Sequence, residues 1–200
     1  MDGIVYPEKG FILSLGAFIA YFSSPGSNVI QPSELLMNKE LFYQELNRDF
    51  SALMAGETSF LAVLANTSAL LFERLSSVNW AGFYLLEGDT LVLGPFQGKI
   101  ACVRIPFGKG VCGTAIATNK VQRIEDVHAF DGHIACDASS NAEIVFPLTI
   151  AGRQLGVLDI DSTEHGRFDE EDERGLRTLV TELEKLLSGT DFEKFFLTDA

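Results

Sequence analysis

The sequence predicts an α+β fold in which flanking helices cover a mainly antiparallel central sheet. Three observations carry that expectation. Apolar residues recur at helical spacing in the stretch 38–75 and again in 169–187. Between these stretches the pattern shortens to strand-like runs bounded by glycine turns. Those runs lie too close in sequence for the helical crossovers that a wholly parallel sheet needs. Two hundred residues suffice for one domain with a sizeable core, and no repeat is visible.

Each element has its own signal. Asn38 is placed to cap a first helix carrying Leu41, Phe42, Leu46, Phe50, Leu53 and Met54, and Gly56 breaks it. A second helix carries Phe60, Leu61, Leu64, Leu70, Leu71 and Leu75. Residues 80–86, 90–96 and 100–105 read as strands, the first two joined by the hairpin signal Glu87-Gly88-Asp89. Gly108 and Gly110 introduce a short helix over about 111–118, and 121–124 resumes strand. Residues 125–141 form a polar, irregular stretch, and a loop of that length points to function. Residues 143–150 and 154–160 are two apolar strands around Ala151-Gly152. Asp169 is the expected N-cap of the last helix, with Glu170, Glu171 and Asp172 at the positive end of its dipole. Leu176, Leu179, Val180, Leu183, Leu186 and Leu187 make its apolar stripe, and Gly189 stops it. Phe192, Phe195 and Phe196 are expected to fold the tail back onto the body.

Residues 1–36 differ from the rest. The apolar run 11–22 is too short for a bilayer span, which needs about 20 residues. Its flank offers Asp2, Glu8 and only Lys9, not the positive start of a secretory signal. Residues 23–28 read as a turn or linker. Met37 is followed at once by the amphipathic helix. Residues 1–36 are therefore read as an N-terminal extension and 37–200 as the single domain, with Met37 its functional start. A membrane-surface or packing segment is the alternative for the extension.

Charge and cysteine count narrow the function. A net charge of −13 argues against nucleic acid, whose phosphates need clustered Lys and Arg, and against an anionic membrane surface. Three cysteines do not suit a secreted disulfide framework. In a reducing cytoplasm a disulfide is transient, and serves catalysis or sensing. There is no CxxC, HExxH or P-loop pattern. His128, His133, Cys136 and Glu143 are close in sequence but match no familiar zinc spacing, so no metal is expected.

The residues that carry chemistry lie in the middle of the chain. Cys102, Cys112 and Cys136 are each set in turn chemistry: Gly98-Lys99-Ile100-Ala101-Cys102, Gly108-Lys109-Gly110-Val111-Cys112-Gly113 and Asp131-Gly132-His133-Ile134-Ala135-Cys136-Asp137. Thiol redox chemistry needs a thiolate attacker and usually a second thiol to resolve the product. Cys112 falls at a helix start, where the dipole lowers a thiol pKa. Asp159-Ile160-Asp161 puts two carboxylates on one strand face, where like charges raise one pKa and make a proton donor. Glu143 begins the neighbouring strand. Whether it shares their face depends on the turn geometry. Three acids around a pocket would also bind a cation such as the ammonium of a free amino acid.

From Met37 to about Phe196 the chain resembles the free methionine-(R)-sulfoxide reductases, which are stand-alone GAF domains. The segments that carry the resemblance are Asn79-Trp80-Ala81-Gly82-Phe83-Tyr84, Leu93-Gly94-Pro95-Phe96-Gln97-Gly98, Gly110-Val111-Cys112-Gly113, His133-Ile134-Ala135-Cys136-Asp137 and Val157-Leu158-Asp159-Ile160-Asp161-Ser162. The resemblance implies a GAF-like sheet and a role for each matched position. Cys136 looks like the nucleophile that attacks the sulfoxide sulfur, and Cys102 like the thiol that closes a disulfide with it. Cys112 looks like a secondary or alternative partner. Glu143, Asp159 and Asp161 resemble the acids that hold the substrate ammonium and donate to the sulfoxide oxygen. Trp80 and Tyr84 resemble the aromatic wall around the S-methyl group. Thioredoxin is the implied reductant, with no metal or organic cofactor, in a homodimer. The rival reading is a GAF module that senses a small molecule or redox state without turnover.

Overall fold

The computed structural model describes residues 32–132, 134 and 136–196, with side chains from Lys39 onward. The apolar run 11–22, the turn 23–28 and His133 lie outside the described residues. Among the described residues, no helix is long and apolar enough to cross a membrane.

Six strands form one antiparallel sheet in the order β3-β2-β1-β6-β5-β4. They are β1 (Val78–Glu87), β2 (Thr90–Gly98), β3 (Arg104–Pro106), β4 (Gln122–Ile124), β5 (Ala142–Ile150) and β6 (Arg153–Ser162). The helices are α1 (Pro32–Leu53), α2 (Phe60–Arg74), α3 (Gly110–Thr118) and α4 (Glu170–Leu187). The antiparallel α+β architecture expected from the sequence is the one observed.

Strand periodicity splits the sheet into two chemically distinct faces. One presents Ala81, Phe83, Ile144, Phe146, Leu158 and Ile160 to α1, α2 and α4, which supply Leu46, Phe50, Val63, Leu64, Leu179 and Leu183. All of these side chains are buried. The other face carries Trp80, Tyr84, Val145 and Val157 and packs against α3 through Val111, Cys112, Ala115 and Ile116. The first and last helices share a face and the cysteine segments lie on the opposite one, as the sequence led us to expect.

Three local readings are corrected. Asn38 does not cap α1, because the helix already begins at Pro32, whose fixed φ and missing N–H suit a first helical position. Met37 lies within this helix. Leu41 and Leu53, counted on its apolar stripe, are exposed, and Tyr43 takes the core position instead. The expected strand over 100–105 is reduced to Arg104–Pro106. Side chains of β1 hold the chain at the entry to its first half and within it. Trp80 Nε1 donates to Lys99 O at 3.2 Å, and the Tyr84 hydroxyl donates to Cys102 O at 3.0 Å. Gly98, at φ 129°, turns the chain out of the sheet there, against the Trp80 ring and the Asn79 carbonyl.

The closing helix is locked to the first by a buried charge. Asp169 caps α4 and Asp172 returns a bond to the Asp169 N–H, completing a capping box. Asp172 is fully buried. It also accepts from the Tyr43 hydroxyl at 2.6 Å, from Lys39 at 2.7 Å and from Arg167 at 3.1 Å. Gly175, one turn further on, lets the Tyr43 ring lie directly on the helix backbone, where any Cβ would collide with it. Phe196 is buried beside Phe60, while Phe195 contacts Phe60 but stays half-exposed, so the tail folds back as expected. Replacing Asp172 by Ala strands Lys39 and Arg167 without their shared carboxylate. The expected cost is about 3–5 kcal/mol of folding stability. Denaturant unfolding of Asp172→Ala measures it, and a midpoint equal to that of the parent would refute this role.

Candidate functional site

The sheet face opposite the long helices holds an unusual group of acids, and strand register explains how they meet. Asp161 on β6 lies directly opposite Glu143 on β5 and opposite Trp80 on β1. Asp159, two residues back, lies opposite Val145 and Gly82. Glu143 therefore shares the face of the aspartates, which settles the question left open by the sequence. The buried neighbours Val145 and Val157 keep water from most of this surface.

The second layer comes from α3 and two loops. Cys112, on the first turn of α3, puts its Sγ 3.7 Å from Glu143 Oε1. Cys102, on the segment between β2 and β3, is disulfide-bonded to Cys136, on the loop between β4 and β5, with a Cα–Cα distance of 5.3 Å. Trp80 stacks on both Tyr84 and Phe96 and forms one wall. Together these groups line a cavity of about 40 Å³ with Ile100, Val111 and Ile134 at its sides. All eight site residues expected from the sequence line it or, in the case of Cys102, close it through the disulfide.

The loop bearing Cys136 is pinned by residues that the sequence reading did not single out. Asp137 accepts from the Ser139 backbone N–H at 2.9 Å and from the Ser139 hydroxyl at 2.7 Å, an Asx-type turn. Lys99 lies 3.2 Å from Asp137 Oδ2 and ties this loop to the Cys102 segment. Asn79, at the start of β1, donates to the Ser140 hydroxyl at 3.0 Å. The hydrogen bonds from Ser139, with the Lys99 charge, hold the Asp137 carboxyl down at a pKa of about 2. The Asp-x-Ser spacing was the available signal for the turn. Nothing local in the sequence marked the partners Asn79 and Lys99.

Electrostatics at the floor run the other way. Glu143 is pushed well above the usual carboxylate range by burial and then by the charges of Asp159 and Asp161. Burial likewise raises Asp161, helped by Asp159 and Asp137. Asp159 is also raised by burial, partly offset by the polar groups of Cys112 and Glu143 beside it. The sequence led us to expect a lowered pKa for Cys112 from the α3 dipole, and that is corrected here. Burial, with the neighbouring Asp159, Glu143 and Asp161, pushes the thiol well above its ordinary value. Desolvation beside three acids outweighs half a helix-end charge. The Tyr84 hydroxyl is raised for the same reasons, burial first and Asp159 second.

The geometry can bind a cation against the floor, deliver protons from raised acids, and pass between a dithiol and a disulfide at the rim. Of the residues with possible metal-ligand character, Cys112, Glu143 and Asp159 place their ligand atoms within 4.8 Å of one another.

The GAF domain family matches residues 58–188. The chain is 74% identical over 164 residues to the free methionine-R-sulfoxide reductase of Escherichia coli (strain K12), covering 82% of this chain and 99% of that one. It is 42% identical over 157 residues to the free methionine-R-sulfoxide reductase of Saccharomyces cerevisiae, covering 74% of this chain and 87% of that one. Among solved structures it is similar to the free methionine-R-sulfoxide reductase of Neisseria meningitidis in complex with its substrate. That match has a TM-score of 0.73 and 45% identity, over 76% of this chain and 92% of that chain.

The raised acids carry a stability consequence. An acid whose pKa is higher folded than unfolded holds its proton longer in the native state, so stability falls as pH rises from the unfolded value, roughly 4, towards the raised one. At pH 7 Asp159, raised to about 6, is therefore held ionised at this floor against its preference. Asp159→Asn removes that charge. We expect it to unfold at higher denaturant concentration than the parent at pH 7, by about 1–3 kcal/mol, with the gap closing below pH 4. A variant less stable than the parent across that whole range would contradict the account.

Proposed function

Because the chain belongs to the free methionine-(R)-sulfoxide reductases of the GAF domain family, we propose a reaction cycle in which each group of this pocket has a part. The chain reduces free L-methionine (R)-S-oxide to L-methionine by thiol chemistry. The observation that carries the cycle is the Cys102–Cys136 disulfide closing a cavity floored by Glu143, Asp159 and Asp161.

In the reduced enzyme the Cys136 thiolate attacks the sulfoxide sulfur. The S–O bond cannot break until the oxygen is protonated, and an acid with a raised pKa is the donor suited to neutral pH. The protonated oxygen moves from the substrate sulfur to the Cys136 sulfur as the S–S bond made in the attack breaks, leaving Cys136 as a sulfenic acid and releasing methionine. Cys102 then attacks the Cys136 sulfur, water departs, and the disulfide forms. Two electrons have moved from the thiol pair to the sulfoxide. Cys112 is given no attacking role, because its thiol is buried and held protonated. It serves as a donor to Glu143, or as a reserve partner when the loops move.

Binding follows from the same floor. The substrate ammonium sits against Glu143, Asp159 and Asp161, and the Trp80–Tyr84 wall takes the S-methyl end. The cavity of about 40 Å³ in the disulfide form holds only about three waters. Substrate entry therefore requires the Cys102 and Cys136 loops to part on reduction. We assign the reducing step to thioredoxin. Ile100, 90% exposed, and Val103, 65% exposed, flank Cys102 and offer apolar surface beside the disulfide for such a protein. We further propose a cytoplasmic homodimer in which residues 1–36 take no part in the chemistry.

Two experiments test the assignments. Cys136→Ser is expected to release no methionine in a single turnover. Cys102→Ser should release one equivalent and then fail to recycle with thioredoxin. One methionine per site from Cys136→Ser would overturn the choice of nucleophile.

The carboxylate floor is tested through the substrate. N-acetylation removes the ammonium and leaves the sulfoxide intact, so kcat/KM should fall by about 100-fold or more, the loss expected when a buried charge is left unpaired. The amides Glu143→Gln and Asp161→Asn keep shape and should lose comparable activity on free sulfoxide while remaining folded. Equal turnover of free and acetylated sulfoxide would contradict the floor's binding role.

A further inference from the structure

Beside two of the carboxylates assigned to the substrate ammonium, the floor carries a thiol that substrate binding does not use. Cys112 Sγ and one carboxylate oxygen each of Glu143 and Asp159 lie within 4.8 Å of one another, and all three side chains are buried. The thiol comes from α3 and the carboxylates from adjacent strands β5 and β6, so the three donors approach one point from two layers of the fold. A second observation points to a ligand at that point. Asp159 is only 6% exposed and lines the cavity, yet its Oδ1 has no hydrogen-bond partner. A buried carboxylate oxygen left unpartnered is costly and is normally satisfied by a donor or a cation.

We propose that Cys112, Glu143 and Asp159 form a binding site for a divalent ion of borderline softness, of which Zn²⁺ is the chemical type. One thiolate and two carboxylates match the ligand preferences of zinc, and hard ions such as Mg²⁺ would be disfavoured by the sulfur. The spacing fits. Bonds of about 2.3 Å to sulfur and 2.0 Å to oxygen place tetrahedral ligands about 3.5 Å apart. The Cys112–Glu143 separation of 3.7 Å is already close to that. A fourth position faces the cavity and has room for water. Binding forms a metal–sulfur bond and releases the Cys112 thiol proton to solvent, with no change of oxidation state. An ion seated there occupies the acids assigned to the substrate ammonium, so the site would be inhibitory. The metal site itself does not depend on that assignment.

The oxidised full-length chain is the right material, because the Cys102–Cys136 disulfide leaves Cys112 as its one free thiol. Calorimetric titration with zinc chloride should show one ion bound per chain, with heats that vary with buffer ionisation as the proton leaves. Cobalt(II) in its place should give thiolate-to-metal charge-transfer absorption. Cys112→Ser should weaken zinc binding roughly tenfold or more and abolish that absorption, and Glu143→Gln should weaken binding similarly. No saturable zinc binding, or binding by Cys112→Ser equal to that of the parent, would overturn the proposal.

Discussion

Asp161 has Trp80 on one side and Glu143 on the other, and the chemistry of this chain depends on that three-strand register. Side chains alternate along a strand, so a slip of one residue between β6 and either neighbour would drive Asp159 and Asp161 into the apolar layer under α1, α2 and α4. It would also expose Leu158 and Ile160 on the pocket side. That alternative buries two unpartnered carboxylates among Phe83, Phe146 and Leu179, at a cost no domain of this size could absorb. The apolar face thus fixes the register, and the register assembles the polar face. Core and candidate site are the two sides of one constraint.

The arrangement sets stability against function. The Glu143–Asp159–Asp161 floor holds three acids together out of water, where burial and mutual repulsion resist their ionisation and oppose folding as pH rises. The rest of the molecule offsets this by ordinary means. Asp172 is just as buried as the floor acids but is surrounded by Lys39, Arg167, Tyr43 and a backbone N–H. The contrast between the two buried acid sites is informative. Where carboxylates serve structure, the fold gives them cations and donors. At the floor it gives them no cation of their own among the described residues, which fits the proposed role of binding the substrate ammonium. Cys112 obeys the same logic: beside the floor its thiol is kept protonated, despite standing at a helix start.

Most of the fold was legible because its signals are local. The Asp169 cap, the glycines before α3, the hairpin around Ala151-Gly152 and the period change at β1 each follow from a few neighbouring residues. The errors occurred where a distant partner decides. Asn38 has the chemistry of a cap, but Pro32 starts the helix earlier. Residues 100–103 have strand-like composition, but Trp80 and Tyr84 take the carbonyls of Lys99, just before them, and Cys102. The Cys112 pKa was misjudged because the helix was visible in the sequence while the acids facing it belong to strands 30 to 50 residues away. For the site, the thiols and acids were legible from residue type and from the family resemblance. The supporting residues Asn79, Lys99, Ser139 and Ser140 were not, since a polar residue in a turn looks alike whether it faces water or pins a loop.

Those supporting residues explain how redox state and pocket volume are coupled. The Cys102 segment is hung from the pocket wall through Trp80 and Tyr84, and the Cys136 loop is hung from β1 through Asn79. Lys99 and Asp137 join the two segments at their rims. With the disulfide formed, both loops are bound to each other and to the sheet, and the cavity is small. Breaking the covalent link leaves the partly exposed Lys99–Asp137 pair and the hydrogen bond from Lys99 to the Ser139 hydroxyl between them, and exposed pairs are worth about 1 kcal/mol or less. The loops are then free to separate at little cost while the sheet keeps the acids in place. In the proposed cycle the reducing step therefore opens the pocket as it frees the Cys136 thiol, and the next substrate would meet a floor that has not moved.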